Sequence, residues 1–125
     1  MVESNVVVIK VRRPVPRRIR VQWLWLRADK TEVRPGETVT FTWGGRLAEH
    51  YPGPREVGYR VDVLVDGRRV TSEYARIRRC TTEFRGRSFT LRFEREGTYF
   101  VKVRGPDYVE VPPAPTAAGP EWRVG

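Results

Sequence analysis

From Ser88 to Val111 the chain alternates apolar and polar positions in three runs: Phe89, Leu91 and Phe93, then Tyr99, Val101 and Val103, then Val109 and Val111. Successive strand side chains point to opposite faces, so each run puts its apolar residues on one side. Gly97 and Gly105-Pro106 separate the runs, and the pattern predicts a three-stranded β-meander. Upstream, Ile19, Val21, Trp23 and Trp25 alternate with Arg18, Arg20, Gln22 and Leu24, which predicts a strand with both tryptophans on its inner face. By the same alternation Leu24 and Leu26 fall on the outer face. Val39, Phe41 and Trp43 form the clearest inward row, entered through a Pro35-Gly36 turn of type II sequence. Residues 44–54, GGRLAEHYPGP, read as a long loop. Tyr59, Val61, Val63 and Val65 predict a strand that ends at Asp66-Gly67, a tight-hairpin dipeptide, and residues 68–77 return with Val70, Tyr74 and Ile77.

The ends differ from this body. Residues 5–11, NVVVIKV, are strongly β-branched, and residues 12–18, RRPVPRR, carry two prolines that remove ladder donors. This predicts a strand-forming arm (residues 1–17), a body (residues 18–112) and a Pro/Ala-rich tail (residues 113–125). An exposed Val/Ile strand is an aggregation hazard unless paired, so the arm returns to its own sheet or adds to a neighbour's.

About seven short strands with regular turn signals and no helical period predict an all-β antiparallel sandwich. PGETVTFT at 35–42 and GTYFVKV at 97–103 resemble the second and penultimate strands of immunoglobulin-like domains of the fibronectin III, PKD and CARDB kinds. The resemblance covers residues 19–111 and implies an immunoglobulin-like sandwich in which Tyr99 is a corner tyrosine. It implies no chemistry, because that architecture serves many functions. Similar domains occur as decoration proteins on tailed-phage capsids and in tail and adhesion proteins.

Composition adds charge. The 125-residue chain carries 24 Lys and Arg against 15 Asp and Glu, for a net charge of +9, and only Lys10, Lys30 and Lys102 are lysine. The charged fraction of 31%, ten prolines and a single Asn and Gln resemble a thermophile's composition. Arginines cluster at Arg12, Arg13, Arg17, Arg18 and Arg20, and again at Arg76, Arg78, Arg79, Arg85 and Arg87. Such clusters suit an acidic protein surface or nucleic acid. The expected inward placement of the aromatics argues for protein, since single-strand binders interleave the two residue types.

Candidate chemistry is sparse. His50 is the single histidine, which leaves no histidine metal cluster or serine-type triad. Asp62, Asp66, Glu49 and Glu56 read as solvated partners for arginine. Cys80, the one cysteine, excludes an internal disulfide and reads as a small buried residue. There is no phosphate-cradling glycine loop, no apolar run long enough for a membrane helix, and no signal-peptide pattern. No cofactor or metal is expected, and the expected class is not an enzyme.

The leading expectation is a structural assembly protein, a capsid decoration protein of a thermophilic phage located in the virion. It would bind an acidic lattice or copies of itself. The arm contacts would be Val6, Val7, Val8, Ile9, Arg12, Arg13, Arg17 and Arg18. Those of the body and tail would be Leu24, Leu64, Phe100, Tyr108 and Trp122. The alternatives are a surface or secreted adhesion module using Trp and Tyr within residues 43–59, and a nucleic-acid-binding domain using the arginine patches. No membrane partner is expected.

Overall fold

The computed structural model describes residues 2–10 and 17–112. Eight strands follow one another: β1 (Arg17–Ala28), β2 (Thr38–Leu47), β3 (Val57–Val65), β4 (Arg68–Ile77), β5 (Glu83–Arg85), β6 (Phe89–Arg92), β7 (Val101–Arg104) and β8 (Tyr108–Val111). No helix occurs among the described residues. The strands form two antiparallel sheets, one ordered β5-β2-β1-β8 with β6 also on β2, the other β4-β3-β7. This is an all-β sandwich. Phe41 pairs with Ala28 on one side and Phe89 on the other, so β6 lies on the edge of β2 away from β1.

Each sheet turns one apolar face inward. Ile19, Val39, Phe41, Trp43, Leu47, Phe84, Phe89 and Val109 come from the larger sheet, and Tyr59, Val61, Val63, Ala75 and Ile77 from the smaller. Phe41 and Phe89 stack at 5.2 Å between centroids, and Tyr59 meets Phe84 at 5.3 Å. The Trp43 indole donates to the Arg87 carbonyl at 3.0 Å and the Tyr59 hydroxyl to that of Pro106 at 2.7 Å. Buried aromatics with a polar tip need such partners. A side chain at Gly86 would collide with the Trp43 ring, so glycine there is what lets Trp43 fill the core.

The turns follow their sequence chemistry. Gly36 has φ +89°, and Glu37 N–H donates to the Arg34 carbonyl. Asp66 and Gly67 have φ of 50° and 81°, as a two-residue turn of primed type requires. Asp66 also accepts the Phe100 N–H at 2.9 Å, tying the hairpin to the approach to β7.

Several expectations give way. The Ser88–Val111 meander does not form, because β6 pairs with β2, β7 with β3 and β8 with β1. Its inward alternation holds for Phe89, Leu91, Phe93, Val101, Val103, Val109 and Val111, whereas Tyr99 is exposed and precedes β7, and consecutive strands lie in different sheets. The corner at Gly105-Pro106-Asp107 carries the chain across, held by Asp107 O accepting from Val21 N–H. Residues 44–47 are strand, not loop: Leu47 is buried, and so is Tyr51 just beyond it. Gly44 and Gly45 survive in β2 because Trp25 lies over the first, and Leu24 and Phe84 close on the second. Cys80 is exposed, with φ 63°, in a tight turn closed by Thr81 Oγ1 donating to the Arg78 carbonyl. Val70 and Tyr74 are exposed, and the inward row of β4 is Ala75 and Ile77.

Candidate functional site

The most consequential local feature is one residue long. Val21 pairs with Leu47 and Trp23 with Arg46, so Gln22 is an extra residue in β1 and makes a β-bulge. An inserted residue exchanges the faces of everything beyond it. Leu24 and Leu26 therefore turn inward and pack against the core. Trp23 and Trp25, expected inside, stand on the outer face, where Trp23 is 49% exposed. Leu24 thus cannot serve as an outer contact, which corrects the sequence reading of this strand.

The outer face of the larger sheet is consequently a mixed arginine and aromatic surface. Register places Tyr108 beside Arg20, then Trp23 beside Arg46 and Glu83, then Trp25 beside Gly44 and Arg85. The Arg46 guanidinium lies 5.5 Å from the Trp23 ring, and those of Arg27 and Arg85 lie 5.1 and 5.6 Å from Trp25. These are cation–π distances. Trp25 reaches this position because Gly44 has no side chain to lift it off the strand.

Arg85 also lines a neighbouring cleft of about 830 Å³ where β4 approaches β5, whose other cations are Arg76, Arg78 and Arg87. An Ala75–Gly86 bridge and a bond from Arg87 N–H to the Tyr74 carbonyl join the two sheets there. Glu73 stands in this cleft too. Burial raises its carboxyl above the ordinary value, and the Arg87 charge opposes that rise. Burial also raises Tyr59 to about 12, with the Asp107 charge adding to the effect.

The second candidate is the arm. Val6, Val7, Val8 and Ile9 are 70–87% exposed and belong to no strand. The strand expected over residues 5–11 is absent over residues 5–10, and Val11 lies outside the described residues. Arg17 and Arg18 fall within β1, where they pair with Glu49 at 3.1 Å and Glu110 at 3.7 Å. Exposed pairs of this kind stabilise little. Arg12, Arg13 and Trp122 lie outside the described residues.

Of the remaining expected contacts, Phe100 and Tyr108 are exposed, at 75% and 51%. Leu64 is not: alternation puts it opposite Val63, yet it is buried, with Arg69 and Lys102 as its strand neighbours. It offers no contact surface. The aromatics that an adhesion module would use, Trp43, Tyr51 and Tyr59, are all core residues. Among the described residues no group of three or more His, Cys, Asp or Glu is arranged to hold a metal ion. The tryptophan and arginine face was missed because strict alternation was carried through Gln22. The only sequence signal for it was the apolar pair Leu24 and Leu26 out of phase with Ile19 and Val21.

Comparison of this chain with protein-family models, with curated proteins and with solved structures finds no match.

Proposed function

We propose that the protein is a non-enzymatic assembly module whose N-terminal arm adds as a strand to a neighbouring copy. The observation that carries this reading is the exposure of Val6, Val7, Val8 and Ile9, four consecutive β-branched residues without a ladder partner among the described residues. β-Branched residues favour a pleated, half-buried surface. An unpaired run of them gains hydrogen bonds and apolar contact by joining an exposed sheet edge, as donated strands do. Among the edge strands of the two sheets, β7 and β8 are short and have Phe100 and Tyr108 exposed beside them, which suits them to receive such a strand.

Decoration of an acidic lattice, such as the capsid of a thermophilic phage, is the specific form of this role, and the net charge of +9 supports it. An immunoglobulin-like body fits the same role. The Tyr99 hydroxyl donates to the Arg95 carbonyl at 2.7 Å, the backward bond of a corner tyrosine. The body departs from that type in its last strand, since β8 pairs with β1 instead of lying beside β7.

The test is the solution mass of the full chain by light scattering at low and high salt. The expected result is a defined oligomer that the double substitution Val7→Asp/Ile9→Asp converts to a folded monomer, which melts cooperatively at a temperature independent of protein concentration. A monomer at every salt and protein concentration, or an arm variant of unchanged mass that melts lower, overturns the reading.

A further inference from the structure

We propose that the outer face of the larger sheet binds single-stranded nucleic acid, with Trp23 and Trp25 as base-stacking platforms and the surrounding arginines as phosphate contacts. The Gln22 bulge puts both indoles on the outer face, two residues apart on one strand, with Trp23 exposed and Trp25 half-buried. That spacing is about 6.6 Å, roughly twice the 3.4 Å step of a stacked strand. Arg46 stands over Trp23, and Arg27 and Arg85 over Trp25, so cations and ring faces alternate within one surface. Arg20 and Tyr108 extend it along β1 and β8.

Arg85 continues the surface into the cleft between β4 and β5, where Arg76 and Arg87 form no ion pair with a carboxylate among the described residues. A strand crossing the tryptophans therefore meets a further row of cations. The carboxylates on this surface are Glu83, in an exposed pair with Arg46 at 3.5 Å, and Glu73 in the cleft, and the arginines outnumber them.

Single strands satisfy both halves of this surface at once. Each nucleotide brings a π-face for an indole and a phosphate for a guanidinium, and stacking of this kind is sequence-tolerant. An acidic polypeptide would satisfy the guanidiniums and draw them away from the tryptophan rings they now cover, without supplying a π-face in exchange. A duplex hides its base faces, so it engages the charges alone. The placement of the aromatics also removes the objection raised by the sequence pattern, where both tryptophans were expected in the core.

The experiment is fluorescence anisotropy of a labelled oligothymidylate titrated with the full-length protein at two salt concentrations. A duplex of equal length and poly-glutamate serve as competitors. The expected result is saturable binding to the single strand that weakens with salt and is displaced least by poly-glutamate. Trp23→Ala is expected to weaken it by roughly fivefold or more, since one stack is lost. Its melting temperature stays the same, because the Trp23 side chain is outside the core. Arg85→Gln lowers the slope of log affinity against log salt by about 0.7.

Equal affinity of wild type and Trp23→Ala overturns the proposal. Tighter binding of poly-glutamate overturns it in favour of an acidic protein partner, and tighter binding of the duplex overturns it in favour of charge alone. None of these outcomes bears on the arm, whose test reads solution mass.

Discussion

The chain contains two runs rich in valine, and they meet opposite fates. In β3, Val61 and Val63 are fully buried between two strand neighbours, while in the arm Val6, Val7, Val8 and Ile9 stand in solvent. Residue type does not separate them; pattern and neighbourhood do. Val61 and Val63 alternate with Arg60 and Asp62, so one face can enter the core while the other stays wet. Asp66-Gly67 then folds β4 back alongside, and β7 arrives on the other edge. The arm has no polar alternation to choose a face, and Pro14 and Pro16 follow it, so nothing local returns it to a partner. β-Propensity is thus a statement about available surfaces as much as about residues.

The contrast can be broken first by placing the same charge in each run. Val61→Asp puts an uncompensated carboxylate in the core and is expected to cost about 3–5 kcal/mol, enough to abolish the folded signal in a thermal melt followed by circular dichroism. A cooperative melt near the wild-type temperature would mean that β3 is not the centre of the smaller sheet. Next in size is Leu64→Ala, expected to cost about 2–4 kcal/mol by denaturant unfolding because Leu64 is buried. A loss within about 0.5 kcal/mol would return Leu64 to the outer surface.

A smaller effect comes from Glu73, which lies opposite Val61 in the β3–β4 register. Its carboxyl is raised above the ordinary value of 4.5, by burial first and against the pull of Arg87. The folded protein therefore holds that proton to higher pH than the unfolded chain does, so this group lowers stability as the pH climbs above about 4.5. Glu73→Gln should raise the melting temperature near neutral pH, and the gain should vanish below 4.5. A gain of equal size across the whole pH range would place its origin in packing instead. The smallest expected effect comes from the arm: at a protein concentration low enough for the chain to be monomeric, Val7→Asp leaves the melting temperature of the body unchanged, within about 0.5 kcal/mol of stability. A loss approaching that of Val61→Asp would show that the arm packs on its own body.

How far the sequence could be read varies along the chain. Val39, Phe41 and Trp43 are inward as their alternation indicates, and Tyr59, Val61 and Val63 likewise, because long regular runs with turn residues at both ends leave one face to bury. At β1 the same rule misplaces four residues, since the Gln22 bulge is an arrangement between β1 and β2 whose only mark within β1 is the phase change from Ile19 and Val21 to Leu24 and Leu26. Gly44 and Gly45 read as a break, but their lack of side chains answers to Trp25, Leu24 and Phe84, which come from elsewhere in the sequence. The arginines of the candidate face were visible as charge, and the tryptophans as apolar residues. That they share a surface was not.

What the sequence determined by itself is the all-β class, the turns at Pro35-Gly36 and Asp66-Gly67, and most of the inward rows. These depend on the two-residue period of a strand and on φ preferences, both of which act over a few neighbouring positions. The tertiary structure alone decided which strands pair beyond the β3–β4 hairpin, that β6, β7 and β8 join different partners, and that Trp23 and Trp25 lie on the outer face beside Arg27, Arg46 and Arg85. Pairing and register are settled by contacts between distant segments. A one-residue shift that burial of Leu24 and Leu26 favours is enough to exchange the two faces of a strand.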